Sequence, residues 1–184
     1  MHAIVGRGDM IRKINFPKYI IVISSTISAL INLVINLLVV FVFILINGVD
    51  IKPTILLLPF NILELYVLAL AVAFFLSAVM VKYRDIGYVW EVVLQGAFYA
   101  TPIIYPLSMV LEYSPVAAKI MLLNPVAQII QDSRYNTITH QTITTDSLIG
   151  NPWAVAIPYI AILALAAIAG IYFRKNSKYF AENI

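Results

Sequence analysis

The chain has 184 residues, 62% hydrophobic and 11% charged, with a formal net charge of +3; ordinary soluble domains carry roughly 25% charged residues. A soluble domain of this size cannot hide so much apolar surface, so the chain reads as an integral membrane protein. With no cysteine, disulfides and thiolate metal sites are excluded, and His2 and His140 lie too far apart in sequence to suggest a shared metal.

Residues 1–18 form a short basic head with Arg7, Arg12, Lys13 and Lys18 and no apolar core of a signal peptide. Asp9 is a natural N-cap for a short helix through Asn15, with Ile11 and Ile14 on one side and Arg12 and Lys13 on the flank. Such a helix is either a solvated juxtamembrane segment or a cytosolic docking element. Residues 19–46 contain no charge and, as a helix, span about 40 Å, more than the ~30 Å hydrocarbon core. Ser25, Ser28, Asn32 and Asn36 mark a polar stripe along this first span, expected to hydrogen-bond between helices rather than, as the alternative, to form a conduit wall.

A turn at 47–53 leads to a second span, 54–81, with Pro59 in its first turns, where a missing N–H costs least. Glu64 lies well inside this span, with Asn61 one turn away and able to share a hydrogen bond. An ionised acid there costs about 2.5–3.5 kcal/mol on insertion scales. It is either a contact for cargo or an ion, or a protonated or packed acid facing other helices. The third span, 88–105, follows a charged turn of Lys82, Arg84 and Asp85. Tyr88, Glu91, Gln95, Tyr99 and Pro102 recur at steps of three or four and so share one helix face, which Tyr105 extends toward the Pro-broken end. Glu91, about one turn in, is within reach of Lys82 or Arg84.

Residues 106–151 differ in kind. The apolar pieces 107–113 and 115–123 are too short for a bilayer that needs about 20 residues, and they suggest two interfacial or re-entrant helices. Ser114-Pro115 is a good helix start, Asn124-Pro125 breaks the chain again, and 132–151 reads as a polar, Thr-rich loop. The last span is 153–173, anchored by Trp153, with Ala166 and Gly170 as a small-xxx-small pair for close packing. The tail, 174–184, is basic. With both termini in the cytosol, nine basic residues lie inside and only Lys52, Lys119 and Arg134 outside. The expectation is therefore an all-α membrane protein of four spans, with two short external helices between the third and fourth.

No Gly-rich phosphate loop with Lys and Ser/Thr is present, nor any Ser/His/Asp or metal-ligand spacing, so neither ATP hydrolysis nor nucleic-acid binding is expected of the chain itself. A lone acid such as Glu64 is weak ground for an intramembrane enzyme. A polar, aromatic helix face suits an amphiphilic or sugar-bearing cargo, because Tyr offers an apolar face and a polar edge.

Four blocks, in order, resemble the permease subunit of bacterial ATP-binding-cassette exporters of polysaccharides such as O-antigen, teichoic acid or capsule chains: GRGDMIRKINFPKYI, KYRDIGYVWEVVLQGAFYATPIIYP, LNPVAQIIQDSRY and FRKNSKYFAENI. The resemblance implies a homodimer in the cytoplasmic membrane, moving a lipid-linked glycan among membrane lipids, with ATP and Mg held by a separate ATPase and no cofactor on this chain. It implies that 107–123 are gate helices, that 8–15, including Asp9, Ile11, Arg12, Lys13 and Ile14, are the coupling segment, and that Tyr88, Gln95 and Tyr99 line the conduit. It also implies a chain lacking the family's amphipathic N-terminal helix and first two spans. The alternatives are a permease for another amphiphile, such as a drug or lipid, and a truncated, non-transporting membrane scaffold.

Overall fold

The computed structural model describes residues 18–83 and 85–176, and the expected coupling segment lies outside them. The described residues are mostly helical, with no strand among them: α1 (Lys18–Ile46), a 3-10 turn (Pro53–Leu57) running into α2 (Leu58–Lys82), α3 (Ile86–Ala100), α4 (Leu107–Tyr113), α5 (Pro115–Leu122), α6 (Pro125–Thr137), α7 (Thr145–Ile149) and α8 (Pro152–Asn176). Among the described residues three stretches are long and apolar enough to cross a membrane: Tyr19–Ile46, Pro53–Lys82 and Pro152–Asn176.

The described helices divide between two compact units. In the first, the opening turns of α1 meet the closing turns of α2 and α8. Ile21, Val22, Ala78, Val81 and Phe173 are buried together there, with Ala73, Phe74 and Tyr172 packed around them. Two aromatic contacts tie α2 to α8: Phe74 against Phe173 at 4.8 Å and Phe75 against Tyr172 at 5.6 Å between ring centroids. Tilted rings at these separations suit the aromatic quadrupole and add about 0.5–1.5 kcal/mol beyond burial. The basic residues Lys82, Arg174 and Lys175 close their helices in this unit.

The second unit holds residues 40–65 and 93–162. Its short helices are set by their caps. Ser114 Oγ accepts from the Ala117 N–H at the start of α5, and Asn124 Oδ1 accepts from the Val126 N–H at the start of α6. Both helices carry Pro at the first position, where its missing donor costs nothing. Thr144 and Ser147 form a reciprocal capping box on α7, which ends at Gly150 in the left-handed conformation that a glycine adopts without strain. Leu107, Ala118 and Leu122 are buried together, so α4 and α5 form a hairpin sealed by Ile143 and Leu148 from the following segment. These are the two short helices expected from the sequence.

Four expectations are corrected. The third apolar helix ends at Ala100 rather than 105; its 15 residues span about 22 Å, short of the hydrocarbon core. The cause is Pro102, which disfavours helix at Thr101 and removes a donor; Thr101 Oγ1 instead bonds back to the Ala97 carbonyl at 2.7 Å. The stretch 132–151 is not a loop: Asn124 launches α6 through Thr137, and Thr144 launches α7. Among the described residues the polar stripe on α1 makes no bond to another helix: Ser25 donates to the Val22 carbonyl, Ser28 to Ser24 and Asn36 to Asn32, so these three side chains bond back to their own helix. The small-residue pair on α8 is not a packing face within the described residues, because a Cβ at Gly170 meets nothing within 4 Å.

Candidate functional site

The site is built from α3 upward. Its first turn starts from the Lys82–Asp85 region, where the Tyr88 N–H reaches the Asp85 carbonyl at 3.2 Å. The ammonium of Lys82 sits 5.2 Å above the Tyr83 ring, a cation–π contact. Glu91 makes no ion pair among the described residues, which exclude Arg84, so its expected bridge to Lys82 is not formed. No residue of α3 is buried. Tyr88 is 75% and Tyr99 67% exposed, and Glu91 and Gln95 are exposed as well. The expected polar, aromatic face is therefore open along its whole helical length.

Its far end is held firmly. Thr101 and Pro102 are buried. The Arg134 guanidinium donates from Nη1 to the Pro102 carbonyl and from Nη2 to the Ile103 carbonyl, both at 2.7 Å. Gln131 Oε1 accepts a further bond from Nη1 at 3.1 Å, and Gln131 Nε2 donates to the Ile143 carbonyl. A cation suits this place, because these carbonyls lie in the turn just past α3, outside any helical ladder and close to the negative end of its dipole. A planar fork offers donors from two separate nitrogens in fixed geometry, which the compact ammonium of lysine does not. Tyr105 completes the bend by donating its phenol hydrogen to the Tyr99 carbonyl at 2.8 Å.

Another face of α6 carries a polar cluster in which Gln128 is buried and Asp132 and Tyr159 are half-buried. Gln128 Nε2 donates to Asp132 Oδ2 and, at 3.0 Å, to the Tyr159 hydroxyl, which in turn donates to Asp132 at 3.3 Å. Asn61 does not bond Glu64; it donates to Ser133 Oγ at 3.4 Å. Glu64 is packed inside the unit with both carboxyl oxygens buried and unpartnered, and Gln128 Oε1 is likewise unpartnered. Each such group carries a cost of about 1–3 kcal/mol. Asn32 and Asn36, by contrast, are exposed on α1. Gln128, Asp132 and Tyr159 were not anticipated as a cluster. The signal was present in the spacing, since positions 128 and 132 are one turn apart once Asn124-Pro125 is read as a helix start.

Burial raises the Asp132 carboxyl above the ordinary carboxylate range; the bonds from Gln128 and Tyr159 pull it back, and the charge of Asp146 adds to the rise. An acid with a raised folded value binds its proton more tightly folded than unfolded. Its stabilising contribution is complete below the ordinary value of about 3.9 and is lost as pH rises through the raised one. Melting temperatures measured from pH 4 to pH 8 are therefore expected to fall with rising pH, and Asp132→Asn is expected to flatten that slope. A variant that keeps the full slope contradicts the assignment.

Among the described residues no group of three His, Asp or Glu side chains is placed to hold a metal. Residues 1–138 match the profile of the ABC-2 type transporter family. The chain is also similar to the O-antigen export system permease protein RfbA of Myxococcus xanthus, at 28% identity over 183 residues, covering 99% of this chain and 67% of that relative.

Proposed function

This chain belongs to the ABC-2 type transporter family, and from that premise we propose that it is the membrane subunit of an exporter that moves a lipid-linked polysaccharide outward. Permease subunits of this kind are not themselves catalytic; the power comes from ATP hydrolysis in a separate ATPase, and the permease acts as a homodimer. The observation that carries the reading is α3: a helix with an open tyrosine-bearing face whose broken end is clamped by Arg134 beside the α4–α5 hairpin. An amphipathic face of Tyr88, Gln95 and Tyr99 offers apolar surface to sugar C–H groups and polar edges to hydroxyls. The likeness to an O-antigen export permease over nearly the whole chain supports the same cargo class.

α3, extended by the clamped bend through Pro106, is the third of four membrane segments in chain order, and α4 and α5 are gate helices on the outer side. The basic residues gathered at the ends of α2 and α8 support a cytosolic placement of both termini in the cytoplasmic membrane. Closure of the ATPase pair pushes on residues 8–15, the conduit helices part as rigid bodies, and the gate helices yield to the chain. Deleting the gene and restoring it tests this: surface polymer is expected to disappear and return. Unchanged surface polymer in the deletion strain would refute it.

A further inference from the structure

The second unit contains a cavity of about 350 Å³, within the range of small-molecule sites. Its wall includes Asp132 and Asp146 as carboxylates, Phe60, Tyr135 and Tyr159 as rings, and Thr145. Three features set it apart from a chance crevice. Thr145 is 2% exposed, yet its hydroxyl has no hydrogen-bond partner among the described residues. Asp132 spends one oxygen on Gln128 and Tyr159, and its Oδ1 accepts no bond among the described residues. Tyr135 is held in place by His140, which stacks on it at 4.3 Å between ring centroids and is itself 3.1 Å from Thr54 Oγ1.

The donor and acceptor inventory defines the occupant. Free carboxylate oxygens accept hydroxyl or ammonium hydrogens, a threonine hydroxyl both donates and accepts, and phenyl and phenol rings pack against C–H groups. No lysine, arginine or histidine lines the wall, so a further negative charge beside Asp132 and Asp146 meets repulsion with nothing to offset it. Two carboxylates without a third ligand are also a poor metal cage. We propose that this cavity binds a single neutral or amino-bearing pyranose ring and rejects uronate or phosphorylated sugars. The proposal deepens the exporter reading and rests on it for the source of the sugar, a residue of the passing polymer. The cavity then acts as a selectivity subsite separate from the α3 face.

The test is saturation-transfer NMR on the full chain in nanodiscs, in the presence of a chelator. The probes are methyl glucopyranoside, glucosamine and methyl glucuronide. The first two are expected to show transfer, strongest at ring C–H protons, and the glucuronide none. Asp146→Asn and Tyr135→Ala are each expected to weaken binding by about tenfold, on the scale of one lost polar or aromatic contact. Thr145→Val, nearly isosteric, guards against misfolding and is expected to weaken binding while leaving the melting temperature within a few degrees. Equal signals from glucuronide, equal signals in all three variants, or absence of any signal would overturn the proposal. The two readings fail separately. If export depends on the gene but no sugar binds, the subsite fails and the exporter stands. If sugar binds but polymer export does not need the gene, the exporter reading fails and the subsite stands.

Discussion

Replacing Arg134 with alanine is expected to destabilise the chain by about 2–4 kcal/mol. Two charge-assisted bonds of 2.7 Å are lost, each worth about 1.5–3 kcal/mol where shielded from water. The Pro102 and Ile103 carbonyls are left facing a hole in a region where Thr101 and Pro102 are buried. Arg134 itself is only partly buried, so water refills some of the loss, which sets the upper bound. Arg134→Lys is expected to recover less than half, because a single ammonium nitrogen cannot reproduce the fixed geometry of two separate guanidinium nitrogens. Thermal unfolding in detergent reads the stability, and protease cleavage between residues 100 and 107 reads the release of the bend. If Arg134→Ala melts within about 0.5 kcal/mol of wild type, a typical surface effect, the clamp does not hold α3.

Reversing charge at Arg12 and Lys13 together is expected to abolish association with the ATPase and, with it, export. Both residues lie outside the described ones, in the segment whose sequence sets two cations between Ile11 and Ile14. Reversing them sets like charges against whatever acidic surface they meet. Like-charge juxtaposition costs several kcal/mol, or more than about a hundredfold in affinity. Co-purification of the tagged chain with its ATPase from membranes measures this. Undiminished recovery of the ATPase with the double variant assigns coupling elsewhere.

The membrane character and the helix order were legible because hydrophobic runs and caps are local signals. The 28 uncharged residues of Tyr19–Ile46, and Ser114-Pro115 at the head of α5, are read directly from neighbours in the chain. The length of α3 was not, although its cause was in view: Pro102 stops the helix, and an expectation based on apolar run length passed over it. The partner of that break lies some thirty positions away, and no local pattern pairs Arg134 with Pro102. The same limit hid the Gln128–Asp132–Tyr159 cluster, whose members sit on α6 and α8. Glu64 and Asn61 stand out in the sequence as polar groups inside an apolar run and both are buried, but Asn61 meets Ser133 rather than Glu64, because a helix neighbour one turn away is only one of several groups a buried amide meets. The stripe on α1 shows the converse. Ser25, Ser28 and Asn36 look like interhelical contacts by spacing, yet back-bonding to the preceding turn satisfies each of them without a second helix.

The most direct test of the central account is where lipid-linked polymer resides when the gene is deleted. Inverted and right-side-out membrane vesicles from the deletion strain, treated with a glycosidase that cannot cross the bilayer, distinguish the two leaflets. The account predicts that lipid-linked polymer accumulates on the cytosolic leaflet, digested only in inverted vesicles, and that restoring the gene returns it to the outer leaflet. Polymer that reaches the outer leaflet without the gene would contradict it.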